Sequence, residues 1–256
     1  MNRSGTDTEN WYEAAFRSEY LKVYPARSVE SAESEVAAAL SWLQPTDGAR
    51  VLDLCCGAGR HSRWIQNSAV ELHALDLSED LLAEARQQLG ESVTLHRGDM
   101  RQLPFEANHF ATVLMFFTSF GYFETDLENQ AVLAEVARVV QPGGTFLLDL
   151  PDRSTTIAGL VPVSDREMGD WTIHEERRIT ADGRRVEKAV TLSGPEGEKC
   201  YTESVRLFTR EQIESMLSAT GWQDIQCRGD WDGSESVPGE SPRMIFTAVR
   251  SAGDRG

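Results

Sequence analysis

The chain lacks most of the features that quickly reveal what a protein does. It has four cysteines in 256 residues, Cys55, Cys56, Cys200 and Cys227, and no two stand at C-x-x-C spacing. That argues against a structural zinc site, whose ligands come in close pairs. The adjacent Cys55 and Cys56 cannot bridge each other without straining the peptide between them. Reduced thiols and a cytoplasmic location are therefore expected. No stretch approaches the ~20 apolar residues of a membrane span, and the first ten residues carry no apolar core of a secretory signal. Basic residues are scarce too: 25 Lys and Arg stand against 41 Asp and Glu, a formal net charge of -16. Nucleic acids and anionic membranes select for a basic face, so no partner of either kind is expected. What remains, 40% hydrophobic and 26% charged residues, suits one large or two small globular domains.

Within that background the order of elements is informative. "SAESEVAAALSWL" (31–43) has helical spacing with Val36, Leu40 and Leu43 on one face, and "QPTDGA" breaks it. "RVLDLCC" is a short apolar run typical of a buried parallel strand, and a helix is expected over "GRHSRWIQN". "ELHALDLS" reads as a second strand, with Ser78 as N-cap of a helix carrying Leu81, Leu82, Ala85 and Leu89 inward. "SVTLHRGDM" and "FATVLMFF" read as the third and fourth strands. "DLENQAVLAEVARVV" reads as a helix with Leu127, Val132, Val136, Val139 and Val140 inward, stopped by "QPGG". "TFLLDL" is the fifth strand. Strands alternating with helices over residues 50–150 imply an α/β fold, a mostly parallel sheet covered on both faces. The pattern then changes: "ADG" and "GPEG" separate two or three long, polar antiparallel strands between Trp171 and Phe208. "TREQIESMLSATG" is a capped helix, and "WQDIQCRG" and "RMIFTAVR" are closing strands. The organisation expected is an N-terminal helical cap (1–45), a core built from 46–152 and 208–250, and a β-rich insertion (153–207), all one compact unit.

Ligands of open α/β sheets bind beyond the carboxyl ends of the central strands, and Gly57-Ala58-Gly59 follows the first of them. A G-x-G pair alone marks either a ligand cradle or a tight turn. Three acids favour the cradle: Asp53 in the first strand, Asp76 at the end of the second, 19 residues after Gly57, and Asp99 after the third. A carboxylate at the second position can accept both hydroxyls of a ribose. Asp99 can accept from an exocyclic amine, beside Met100, whose thioether packs on a flat ring. Each acid also has a structural reading, as a helix cap or a solvated loop residue. Absences narrow the ligand. No G-K-[ST] follows the glycines, so a Walker-type phosphate loop is excluded. The nicotinamide fingerprint wants a third glycine where Ser62 stands, and Asp53 places negative charge where a pyrophosphate would lie. That charge suits a ligand bearing an ammonium group.

"VLDLCCGAGRHS", "LHALDLSEDLLAEAR", "HRGDMRQLPF" and "VARVVQPGGTFLLDL" resemble, in order and spacing, the successive motifs of class I S-adenosylmethionine-dependent methyltransferases. The likeness covers roughly residues 30–150. "FTSFGYFE" and the β-rich insertion further resemble the small-molecule subgroup that includes the sugar N,N-dimethyltransferases. The resemblance implies a Rossmann-like, doubly wound, seven-stranded sheet, mostly parallel with the last strand antiparallel, and an antiparallel β insertion after strand 5. It implies S-adenosylmethionine as cofactor and S-adenosylhomocysteine as its product. Asp53, Cys55, Gly57 and Gly59 would surround the methionine part, Asp76 would bind the ribose with Leu77 against the adenine, and Asp99 and Met100 would hold the adenine. Phe116 would line the pocket near the sulfonium. Many relatives carry an acid where this chain has Ala111, a departure that bears on packing.

A sulfonium methyl is already activated, so what the protein must do is align an acceptor with it. No metal is required, and the five histidines, His61, His73, His96, His109 and His174, are scattered. His61 reads as a capping or packing residue, or as one in contact with the ligand. Tyr122 is the first candidate to face the acceptor, with a core aromatic as its other reading. The aromatic segment "WYEAAFRSEYLKVYPAR", with Tyr12, Tyr20 and Tyr24, is expected to fold over the cofactor or to pack as a helix, with Arg27 near the donor carboxylate. The charged insertion is expected to wall the acceptor side, to be a solvated face, or to form a dimer interface. The reading is a methyltransferase for a polar small molecule, monomeric or homodimeric. The alternatives are a methyltransferase of protein or RNA and a non-catalytic cofactor binder. No N-P-P-[FY] follows the fourth strand, which argues against the adenine and glutamine N-methylating classes.

Overall fold

The computed structural model describes residues 10–16, 29–195 and 197–252. Two helices, α1 (Trp11–Ala15) and α2 (Val29–Leu43), precede an alternating series: β1 (Arg50–Leu54), α3 (Ser62–Ile65), β2 (Glu71–Asp76), α4 (Glu79–Leu89), β3 (Thr94–Arg97) and β4 (Phe110–Met115). There follow α5 (Asp126–Val139), β5 (Val140–Pro151) and α6 (Arg153–Ala158). Four consecutive strands come next: β6 (Val163–Met168), β7 (Trp171–Ile179), β8 (Arg185–Gly194) and β9 (Gly197–Arg206). The chain ends with α7 (Arg210–Ala219), β10 (Trp222–Arg228) and β11 (Arg243–Arg250).

The seven-stranded sheet has the order β10-β11-β5-β4-β1-β2-β3, and β6 to β9 form a separate antiparallel meander. In the large sheet only β11 runs against its neighbours. This is the expected Rossmann-like α/β fold with a reversed last strand. Its central strands are apolar because helices cover both faces. Successive residues point to opposite sides: Leu52 and Leu54 join Leu133, Ile213 and Leu217 on the α5 and α7 side, while Val51 joins Val36, Ile65 and Leu82 on the α2, α3 and α4 side. Helix starts are fixed by side-chain caps. Ser78 accepts from the Leu81 N–H at 3.2 Å, and Thr125 with Glu128 and Thr209 with Gln212 form capping boxes.

Several local expectations are corrected. Leu127 is 78% exposed: in the first turn of α5 its position points to water, and the buried stripe begins with Asn129, Val132 and Leu133. The helix expected over "GRHSRWIQN" is only the four-residue α3. β5 starts at Val140, before the glycine pair: Val140 pairs with Phe110, and regular pairing resumes at Thr145 after an irregularity that includes Gly144, where a side chain would stand 2.6 Å from the Ala111 carbonyl. The insertion has four strands; β6, "VSDREM", gives no apolar signal because three of its six residues are charged, as suits a sheet edge. Among the described residues no helix is long and apolar enough to cross a membrane.

Insertion and core meet at Gly121. Its carbonyl accepts from the Arg206 N–H at 2.8 Å. It adopts φ +93°, and a Cβ there would lie 2.7 Å from the Arg206 carbonyl oxygen. Gly121→Ala meets both a forbidden conformation and backbone it cannot displace, a cost of about 1–3 kcal/mol. Thermal unfolding followed by circular dichroism is expected to show Tm lowered by several degrees.

Candidate active site

Strand order reverses between β1 and β4, so the loops leaving them diverge and open a crevice at the carboxyl edge. It is a cavity of about 380 Å³, within the range of small-molecule sites. Of the residues proposed from sequence, Cys55, Gly57, Asp76, Leu77, Asp99, Met100, Phe116 and Tyr122 line it. Asp53 and Gly59 do not. Tyr20, Tyr24 and Arg27 lie outside the described residues.

The β1 loop turns sharply. Cys55 has φ +63° and Gly57 φ +56°, and a Cβ on Gly57 would find only the Leu81 side chain, 3.9 Å away. The Gly57 N–H donates to Asp76 Oδ2 at 2.8 Å and the Ser78 N–H to Oδ1 at 2.9 Å. Each oxygen is thereby oriented and retains lone-pair capacity for a hydroxyl. Burial raises the Asp76 pKa against the opposing backbone hydrogen bonds. Gly59 acts elsewhere. A Cβ there would strike Leu89 at 2.8 Å, so this glycine lets the loop close onto α4. Burial, followed by the charges of Asp76 and Asp53, pushes both the Cys55 and Cys56 thiols well up, which leaves them neutral and packed.

Asp53 lies beneath the loop, 1% exposed, accepting from Ser62 Oγ at 2.5 Å. Ser62, in sequence only a missing glycine, is thus its partner. Burial pushes the Asp53 pKa up to about 7, against the Ser62 hydrogen bond. Asp99 is bound by its neighbour: Arg101 donates its N–H to Oδ1 at 2.8 Å and Nη2 to Oδ2 at 2.7 Å. Burial opposes the Asp99 charge, but Arg101 prevails and holds its pKa down. Met100, buried beside it, lies 3.6 Å from Cys55 Sγ.

Phe116 stacks on His61 with ring centroids 4.1 Å apart. His61 Nε2 lies 2.7 Å from Glu35 Oε2, and burial lowers its pKa to about 4, so the ring is neutral. Trp231 packs on Phe116 and stacks on Trp42. Sequence reasoning did not foresee Glu35 or Arg60, paired at 2.8 Å; Arg60 follows the glycines of the first motif, but its partner lies 25 residues earlier, in α2. The histidines are less scattered than expected, since His73 Nδ1 and His96 Nε2 are 3.0 Å apart near His109. None of these three lines the cavity, and among the described residues no group of three or more His, Cys, Asp or Glu is placed to hold a metal ion.

Tyr122 packs against Trp11 and Phe16, and Trp11 Nε1 donates to its carbonyl at 3.2 Å. Tyr12 and Phe16 line the cavity, so α1 forms part of its wall. The buried Tyr12 hydroxyl has no hydrogen-bond partner among the described residues. No lining residue comes from the insertion. Its link is Arg185 of β8, which donates to the carbonyls of Phe123 at 2.9 Å and of Gly121 and Tyr122 at 3.4 Å.

Asp53 makes stability depend on pH. Folded, it keeps its proton up to about pH 7; unfolded, it loses it near 3.8. Folding therefore takes up a proton between those values, and this contribution, complete below the lower value, is lost as pH rises toward 7. Asp53→Asn is expected to raise Tm at pH 8 and to flatten the decline between pH 4 and 7, checked by thermal melts across that range.

Residues 51–144 match a family described as a methyltransferase domain. The dTDP-3-amino-3,6-dideoxy-alpha-D-glucopyranose N,N-dimethyltransferase of Streptomyces fradiae is 33% identical over 86% of this chain and 84% of its own. The cypemycin N-terminal methyltransferase of a Streptomyces species is 34% identical over 87% of this chain and 93% of its own. The SAM-bound structure of CalS10, an amino pentose methyltransferase from Micromonospora echinaspora, superposes with a TM-score of 0.64 at 25% identity, covering 98% of this chain and 100% of that one. A Gly57 cradle, an Asp76 carboxylate open to two hydroxyls, and an acid–methionine pair beside them fit the parts of S-adenosylmethionine. The chain belongs to the class I S-adenosylmethionine-dependent methyltransferases and is similar to the small-molecule subgroup that includes the sugar N,N-dimethyltransferases.

Proposed function

We propose that the protein methylates the amine nitrogen of a polar small molecule, with a nucleotide-linked amino sugar as the favoured acceptor. The observation that carries this is the likeness to the Streptomyces fradiae enzyme, which extends through most of both chains. The cofactor supplies a methyl group on a positively charged sulfur. Asp76 binds the ribose hydroxyls, Leu77 and Met100 enclose the adenine, and Asp99, kept ionised by Arg101, accepts from it. Cys55 and Gly57 border the methionine part; Gly59 and Asp53 act from behind the loop, one by packing and the other through its hydrogen bond with Ser62. Phe116 walls the sulfur side. Tyr122, at the loop held by Arg185 and α1, faces the acceptor, and the meander of β6 to β9 acts on the acceptor side through that loop. Closing these walls excludes water and fixes the line of attack, a contribution of several kcal/mol in oriented reactions. Four free thiols support a cytoplasmic enzyme.

A second reading has its own support, the likeness to an enzyme named for a peptide N-terminus. Mass spectrometry decides between them after incubation with S-adenosylmethionine and either dTDP-3-amino-3,6-dideoxyglucose or a short peptide with a free amino terminus. One or two methyl increments on the sugar are expected. Increments on the peptide alone would establish the second reading.

Asp76→Ala removes two charge-assisted hydrogen bonds, each worth about 1.5–3 kcal/mol. Titration calorimetry with S-adenosylhomocysteine is expected to show affinity weakened by about a hundredfold or more. An unchanged affinity would refute the ribose assignment.

A further inference from the structure

Immediately after β4 the chain does something unusual. Phe117 and Thr118 both adopt left-handed conformations, φ 55° and 61°. Neither is a glycine, and Thr118 is β-branched, the kind of residue least tolerant of that region. Two such residues in succession persist only where the surroundings hold them. The holder here is Asp149, near the end of β5. Its carboxylate Oδ2 accepts from the Phe117 N–H at 2.8 Å, and its backbone carbonyl accepts from the Thr118 N–H at 3.0 Å. Asp149 is 1% exposed, and its other carboxylate oxygen accepts from Arg243 Nε. The same Arg243 guanidinium lies 5.4 Å from the Phe117 ring centroid, and that of Arg60 lies 5.1 Å from it. Arg60 is itself fixed by Glu35 and by Ser31 Oγ at 3.1 Å.

The turn so held has a clear output. Phe116, Phe117 and Ser119 all line the cavity, whereas Asp149, Arg243 and Thr118 do not. Ser119 Oγ donates to the Phe116 carbonyl at 2.9 Å, closing the turn on itself. Relaxing Phe117 and Thr118 to ordinary φ values would redirect Phe117 and Ser119, whereas Phe116 is held by its contacts with His61 and Trp231.

We propose that Asp149 is a positioning residue for methyl transfer: it clamps the left-handed Phe117–Thr118 turn that sets the acceptor side of the cavity. The inference rests on the proposed function, in which the chain running from this turn to Tyr122 faces the acceptor. The half of the site formed by the β1, β2 and β3 loops is built without Asp149.

Asp149→Asn in the full chain keeps the size of the side chain and removes its charge. Exchange of the Phe117 and Thr118 amides, read by mass spectrometry on peptides spanning 113–123, is expected to accelerate at least about tenfold while β1 and β2 peptides stay as they were. Affinity for S-adenosylhomocysteine is expected to stay within about threefold. The kcat for dTDP-3-amino-3,6-dideoxyglucose is expected to fall at least about tenfold, as misplacement of a reactant does. Adding Thr118→Gly, which accepts the left-handed conformation freely, is expected to recover part of that kcat. Unaltered exchange at 117–118 would overturn the proposal, as would cofactor affinity lost in the same proportion as kcat. If Asp149→Asn does not fold, Asp149→Leu with Arg243→Met removes both buried charges together and faces the same readouts. If the wild-type protein methylates neither amine probe, the proposed function fails; the clamp then stands on faster exchange with unchanged cofactor affinity and falls otherwise.

Discussion

Gly57 donates its N–H to the carboxylate of Asp76, which also accepts from Ser78. The chain leaving β1 and the chain leaving β2 are thereby fixed to one another where the cavity begins. The bond needs a residue at 57 that turns to positive φ and carries no side chain into the opening, and an acid at the last position of β2. It also needs the loop to settle onto α4, which Gly59 permits by leaving room for Leu89. Ser78 then serves twice, as N-cap of α4 and as the donor that orients Asp76. The Cys56 N–H, donating to the Leu75 carbonyl at 3.0 Å, ties the same two chains through the backbone; the glycine–acid bond adds the carboxylate that faces the cavity.

The acids at successive strand ends have the same chemistry and three different environments. Asp53 is sealed beneath the loop and holds a proton to about pH 7. Asp99 is kept ionised by Arg101. Asp76 lies between, raised by burial and restrained by backbone donors. Environment separates the groups, so the site avoids concentrating three full negative charges at one edge before any cation arrives. Across the cavity the charges serve geometry: Asp149 with Arg243 fixes the wall after β4, and Arg185 fixes it a few residues later.

The sheet and the side of the cavity lined from β1, β2 and β3 were legible because their signals are local. Strand ends, glycines and acids stand in fixed order between Val51 and Met100, and each position announces its backbone demand. Leu127 misled because an apolar residue in a first helical turn carries no mark of which side it will face. β6 was invisible because an edge strand need not be apolar. The acceptor half was largely illegible for a different reason. Its clamps are single charged residues, Asp149, Arg185 and Arg243, whose partners lie 32, 62 and 94 positions away. Nothing in the local sequence around Arg185 distinguishes it from the surface arginines beside it.

Trp42 and Trp231 stack with an interplanar angle of 2° and centroids 5.7 Å apart, and Trp231 in turn touches Phe116. Two of the chain's six tryptophans thus form a parallel indole pair one ring removed from the cavity. Parallel indoles at that separation couple excitonically. Their strong far-ultraviolet transitions therefore give native circular dichroism a readout of the cavity wall, and the protein arrives with its own optical probe, no label attached.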